Sequence, residues 1–534
     1  MNKIIPFQRV CASFSLIHLL PLSFAMLLLF SLCTECKADT DKTSLSPQSL
    51  ADAEKTLGTD WPATAIYHAL VTNPEDYMLI FDGYIFGIEK GPMERVSHYK
   101  SEPFYNAYFN NLCQFSQNRL VKAPRQEFCY DSAQRDKRDT VLQHEWDYNS
   151  LMQNLLLNHG WNKYQMGRKR HFLSHIFSYS KETDSEPVVE EEYNVYRHII
   201  EHDKINLENG FPDAFQQGMT AIEDFGMLLK KRLQGPKKYT HIFFCSMGWH
   251  ADQKKSFENF NDLITRISNH AKLVENQNKT EDNNKTFEPL VVGITWPANW
   301  KGVIGGFFTS YWNKGSDADE VGSTIAAVLL NQILRTLESE AIQNRPKVVM
   351  LSHSFGTRLT SSALFLRELA LGEEGVSKNK VDLYIGLEGA VSGNRFLASK
   401  GNEGQPYRLD FFPDTTFVYT WSRYDKANPI SACPIISGAK HIGGKPGYKN
   451  LVKAIKNRTD SSTLKKIGFK KLIKTEDPLA PYQYKDIEGL KWPTSERENL
   501  LYIDVSDIID NHNDIYEDKM GAFVYDLIQK YAPY

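Results

Sequence analysis

Apolar and polar positions along this chain fall into two regimes. From about residue 236 onward, short apolar runs alternate with stretches of helical period. The runs "YTHIFFCSMGW" (239–249), "PLVVGITWP" (289–297), "KVVMLSHSFG" (347–356), "VDLYIGLEG" (381–389), "TTFVYTWSRYD" (415–425) and "LLYIDVS" (500–506) are nearly continuous in apolar character, as strands buried on both faces require. Residues 252–269, 319–338, 358–371 and 519–531 carry the helical spacing between and after them. Strands alternating with helices predict an α/β fold, a mostly parallel sheet flanked by helices over 236–534. Such a sheet gathers its ligands beyond the carboxyl ends of its strands.

The region 39–235 is mixed. Residues 77–86 read as a strand, 142–161 as a helix, and "HFLSHIFSYS" with "VVEEEYNVYRHII" as a hairpin. Phe215, Met219, Ile222, Phe225 and Leu229 mark an amphipathic helix that stops at Gly235-Pro236. No internal repeat is visible.

The first 38 residues read as a signal peptide. Lys3 and Arg9 precede an apolar stretch at 11–32, which His18 and Pro21 shorten to an uninterrupted core at 22–32. Cys36-Lys37-Ala38 offers a small-x-small cleavage site. Export to a periplasmic or extracellular compartment follows, the alternative being an anchor formed by residues 11–32. Lipid attachment at Cys33 is disfavoured by the bulky Leu32 before it. In an oxidising compartment Cys113 and Cys129 can close a surface loop as a disulfide, while Cys245 sits inside an apolar run as a small core residue. Three Asn-x-Thr sequons, at Asn278, Asn284 and Asn457, matter only in a glycosylating host.

Composition narrows the class without deciding it. With 41% apolar and 24% charged residues the chain is a globular protein, neither disordered nor multi-span. A formal net charge of −3 gives no basis for nucleic-acid binding, and the lysines around 465–471 read as a solvated helix face. The acidic string at 316–320 lacks the glycine and terminal glutamate of a calcium loop and reads as a helix start, so no metal is expected.

Chemistry concentrates at the ends of the strands. Ser354 stands in Ser352-His353-Ser354-Phe355-Gly356, where the run 348–351 gives way to helical spacing. Asp425 ends a later strand and His512 follows the last one. A serine hydroxyl needs a histidine to take its proton, and that histidine needs an acid to fix its tautomer. Here the chain resembles the α/β-hydrolases over roughly 239–534: the Ser354 segment is similar to their G-x-S-x-G nucleophile elbow, with Ser352 at the first glycine. The resemblance implies Ser354 as nucleophile, His512 as base and Asp425 as acid. It also implies backbone oxyanion donors at Phe355 and, in the turn Met247-Gly248-Trp249, at Trp249. Glu388 is the alternative acid, with Asp504 and Asp507 further candidates. His441 in a Gly-rich loop and His353 beside the serine are rival histidines, although neighbouring side chains at a sharp turn usually diverge. The aromatic stretch 296–312 reads either as core or as a lid or pocket wall.

The expected function is hydrolysis of a carboxylic ester or lipid-like acyl substrate through an acyl-enzyme, without a cofactor. Membrane contact would arise only through an uncleaved N-terminal segment or a lipid substrate. The alternative is a catalytically silent binding or surface protein on the same fold.

Overall fold

The structure, a computed structural model, describes residues 77–90, 171–181, 187–197, 211–248, 251–277, 286–298, 314–315, 317–342, 344–367, 371, 376–397, 407–432, 439–457, 463–490 and 498–534. Within them the apolar runs form one sheet of eleven strands: β1 (Gly83–Lys90), β2 (His171–Ser180), β3 (Val188–Asn194), β4 (His241–Ser246), β5 (Pro289–Thr295), β6 (Lys347–His353), β7 (Leu383–Leu387), β8 (Thr416–Trp421), β9 (Ile467–Lys474), β10 (Tyr482–Asp486) and β11 (Leu500–Asp504). Their spatial order is β10-β9-β11-β8-β7-β6-β4-β5-β1-β2-β3. The strands from β9 through β1 in that order run parallel, while β10 at one border and β2 and β3 at the other pair antiparallel. The α/β class expected from the alternation is present, as a mixed, mostly parallel sheet.

The continuous apolar runs are explained by two cores. Alternate residues of a strand point to opposite faces. Val348 and Met350 enter one cluster with Phe215 of α1 (Phe211–Gln234), Leu330 of α3 (Ala327–Thr336), Leu359 of α4 (Phe355–Phe365) and Leu451 of α5 (Lys445–Lys456). Val349 and Leu351 enter the other with Phe260 of α2 (Gln253–Gln277) and Phe523 of α6 (Asp518–Tyr531). Fully burying such a side chain contributes roughly 1.5–3 kcal/mol, so central strands have no polar face to offer.

Three features depart from the sequence reading. First, β1, β2 and β3 all come from the region before Pro236 and complete the same sheet, β1 pairing in parallel with β5. The division at 235/236 is therefore not a division of the sheet. Second, β1 begins at Gly83 and not at 77, and it runs on through Glu89 and Lys90. Asp82 marks its start, accepting from the Lys181 amide and the Tyr239 hydroxyl and pairing with Lys237. At its end Glu89 accepts from the buried Tyr196 hydroxyl and Lys90 pairs with Asp317 at 2.8 Å, so polar residues stay inside the element. Third, the lysine-rich stretch at 465–471 is not a helix face. It leads into β9, where Lys470 pairs with Asp486 and Glu498, and Lys471 with Asp507.

The acids of the string at 316–320 are also more than a helix start. Asp317 faces Lys90 and Lys314, Glu320 faces His171 at 3.1 Å, and Asp319 accepts both Nε (2.9 Å) and an Nη (2.5 Å) of Arg358 in α4. These buried pairs join the sheet border to the helix behind Ser354. The 142–161 segment, Cys113, Cys129 and the whole of 1–38 lie outside the described residues. No helix among the described residues is long and apolar enough to cross a membrane.

Candidate active site

Ser354, Glu388, Asp425 and His512 follow β6, β7, β8 and β11, four strands whose order in the sheet is β11-β8-β7-β6. All four therefore emerge on one edge of adjacent parallel strands. The turn at Ser354 is sharp: φ is 55° and ψ −122°, and α4 starts at the next residue. Its amide donates to the Leu387 carbonyl at 3.1 Å, and its own carbonyl accepts from Ala390 at 3.0 Å. The peptide on either side of the serine is thus tied to the end of β7. Gly356 lets the first turn of α4 press on β4, since a Cβ there would run into the Ser246 carbonyl. Gly248 likewise lies against the Ser354 side chain. At the first position of the motif Ser352 is buried, its hydroxyl accepting from Thr360 at 2.8 Å.

Asp425 and His512 come together across 87 residues of sequence. His512 Nδ1 lies 3.0 Å from Asp425 Oδ2. The carboxylate is buried while the imidazole keeps 14% of its surface exposed. Asp425 also caps the turn that follows it. Its Oδ1 accepts from the amides of Ala427 (2.8 Å) and Asn428 (3.0 Å), and Oδ2 accepts from Asn428 Nδ2 (2.7 Å). Burial alone would raise the Asp425 pKa, but His512 and the Asn428 donors hold it at about 2. The turn-capping role and the pairing with His512 belong to the same carboxylate, one to each oxygen.

The remaining candidates divide. Glu388 is buried and stands beside the pair, but Asp425, not Glu388, bonds to His512. Asp504 accepts from the Ser506 hydroxyl and Asp507 pairs with Arg423 and Lys471, so neither reaches His512. Ser354 Oγ makes no hydrogen bond to the His512 ring in this structure. Phe355 occupies the first turn of α4, where unpaired amides carry partial positive charge. Trp249 lies outside the described residues, as do residues 299–312 of the aromatic stretch. Its first residue, Trp296, is core, and its indole donates to the Met247 carbonyl at 3.0 Å, bracing the turn before Gly248.

Two histidines set aside by sequence reasoning act on this geometry. The His353 ring lies 4.6 Å from that of His512, and its Nε2 is 2.9 Å from the His512 carbonyl. Because that acceptor is a carbonyl, Nε2 carries the proton. Burial first, and then the neighbouring His512, push the His353 pKa well below 6.5, so it stays neutral. His441 reaches Asn428 Oδ1 at 3.0 Å and so orients the amide that holds Asp425. Its Gly-rich loop is required at Gly443, where a Cβ would overlap the Glu388 carbonyl carbon and Asn428. No local sequence signal points to Asn428 beyond the Asx-Pro pair that starts the short helical turn Asn428–Ser431.

Among the described residues, Glu388, Asp425 and His512 are the set of acid and imidazole groups close enough to share a cation, with atoms within 4.8 Å of one another. Two members of the set, His512 and Asp425, are hydrogen-bonded to each other at 3.0 Å.

The buried histidines also predict acid lability. Burial lowers His441 to about 3 and His241 to about 4, and it lowers His353 as well. Each is neutral in the fold, so below 6.5 the unfolded chain takes up protons that the folded chain refuses. Their stabilisation is complete above about pH 6.5 and is lost as pH falls toward about 4, at about 1.4 kcal/mol per pH unit for each group. Urea melts at pH 7 and pH 5 should show a marked fall in stability. A flat profile over that interval would sink the assignment.

No family model matches the chain, and neither a curated protein nor a solved structure matches it.

Proposed function

We propose that this chain is an exported serine hydrolase of α/β-hydrolase type that cleaves a carboxylic ester or lipid-like acyl substrate. The observation that carries the reading is the buried Asp425 bonded to His512 on the strand edge where Ser354 stands in its sharp turn. In the proposed reaction His512 Nε2 takes the Ser354 proton as Oγ attacks the acyl carbon. Asp425 holds Nδ1–H and stabilises the imidazolium that forms. The amides of Phe355 and Trp249 receive the oxyanion. His512 then protonates the leaving alcohol, and the same histidine activates water to release the acid from the acyl-enzyme. His353, bonded to the His512 carbonyl, positions the base, and its neutral state avoids a second positive charge beside the imidazolium.

The rival reading, a binding or surface protein that keeps the fold without catalysis, is favoured by two features. Ser352 replaces the glycine usual at the first motif position, and Ser354 is not bonded to His512. Fluorophosphonate labelling decides between them. The expected result is one modified serine, Ser354, in a protein whose N-terminus lies near Asp39. Folded protein that stays unlabelled supports the binding reading, and Met1 retained on membrane-embedded protein supports an anchor.

A further inference from the structure

We propose that Glu388 is a positioning residue of this site, a carboxylic acid that shares its proton with Asp425 and so holds the carboxylate on which His512 depends. Its kinetic consequence rests on the serine hydrolase reading, whereas the shared proton does not.

Among the described residues only Ser354 and Glu388 have positive φ without being glycine, and Glu388 sits at 46°. For a residue with a side chain this backbone costs about 1–3 kcal/mol, and it persists only where surroundings enforce it. They do so here. The Glu388 amide donates to Thr420 Oγ1 at 2.9 Å, its carbonyl accepts from Asn428 Nδ2 at 2.6 Å, and Gly443 packs closely against that carbonyl. The side chain is fully buried and directed at the Asp425–His512 pair.

Two carboxyl groups this close cannot both be ionised unless a cation separates them. The donors around each decide which one keeps the charge. Asp425 receives the Ala427 and Asn428 amides, Asn428 Nδ2 and His512 Nδ1. Glu388 receives one hydroxyl, from Thr420, at 3.3 Å on Oε1, while its Oε2 is buried without a conventional donor. The charge therefore belongs on Asp425 and the proton on Glu388, whose Oε2–H supplies the missing bond to Asp425. The titratable groups facing Glu388 are Asp425 from the end of β8, Asp504 and Tyr502 from β11, and His512. Burial, and then Asp425, raise its pKa well above the ordinary carboxyl range, in agreement with that assignment.

The test uses the full chain, a p-nitrophenyl ester, and the variants Glu388→Gln and Glu388→Leu. Glutamine is neutral and can still donate to Asp425. It should keep kcat within about fivefold and leave the acid limb of the kcat/KM profile in place. Leucine removes the donor. Here kcat should fall about ten- to a hundredfold with KM little changed, since a small misplacement of a catalytic group costs that much. With less of its charge engaged, Asp425 binds the imidazolium more tightly, so the acid limb should move to higher pH.

A shift of that limb to lower pH in either variant would mean that Glu388 carries the charge. Loss of stability in both variants with no movement of the limb would reduce Glu388 to packing. Infrared difference spectra at neutral pH give the independent readout: a protonated-carboxyl band present in the native protein should vanish in Glu388→Gln, and no difference would overturn the proposal. If the native protein resists fluorophosphonate, the hydrolase reading fails, yet the infrared result still decides whether Glu388 holds the proton.

Discussion

Ser354→Ala is expected to lower ester hydrolysis by about three to six orders of magnitude while leaving the protein folded. The loss is large because, in the proposed reaction, neither His512 nor Asp425 can act without the Ser354 oxygen that takes the acyl group. Stability should stay within about 0.5 kcal/mol, because the Ser354 hydroxyl caps no helix amide and alanine inherits the same φ of 55°. His512→Ala should cost about as much, and the double variant little more than either alone, since groups that act as a unit are far from additive. Hydrolysis assays on purified variants, with contaminating esterases excluded, check this. Full activity in Ser354→Ala would place the chemistry elsewhere.

Asp425→Asn carries the second-largest expected effect, a fall in kcat of about two to four orders of magnitude. The asparagine keeps an acceptor for the amides of Ala427 and Asn428, so the turn should survive. Its amide group, however, then faces His512 Nδ1 and Asn428 Nδ2, both of which now find a donor where they had an acceptor. His512 is left in the wrong tautomer, and a buried pair of donors is left opposed. Circular dichroism should show a native fold beside the lost rate. Near-normal turnover in Asp425→Asn, combined with loss in Glu388→Gln, would transfer the acid role to Glu388.

The central sheet was legible because burial on both faces leaves little room for polar residues, so β4, β5, β6, β7, β8 and β11 are written as apolar runs. Ser354, Asp425 and His512 could be picked out because each follows such a run. The borders were harder. β9 carries Lys470, Lys471 and Lys474, whose charges are met by partners from other segments or by solvent, and a pattern of local polarity cannot reveal those partners. The limits of β1 are hidden for a related reason: Glu89 and Lys90 are paired within the fold and continue the strand, whereas the apolar residues before Gly83 precede it. Within the site, His353 meets the carbonyl of His512, 159 residues further along the chain, and no local pattern announces such a partner. The Asn428–His441 support joins segments 13 residues apart through side chains alone, a contact that no periodicity encodes.

The two borders of the sheet bear on how copies of this protein behave at high concentration. β3 and β10 end the strand order, so among the described residues their outer backbone groups have no neighbouring strand. An unpaired border is a template for joining one molecule to the next. β3 presents Glu190, Glu191 and Glu192 in succession, and β10 places Lys485 and Asp486 at exposed positions beside the lysines of β9. Two β3 borders brought together would set glutamate against glutamate, and like charges facing across strands repel. The acidic run thus opposes edge-to-edge pairing at neutral pH, on the side of the sheet farthest from β11 and from His512 beyond it.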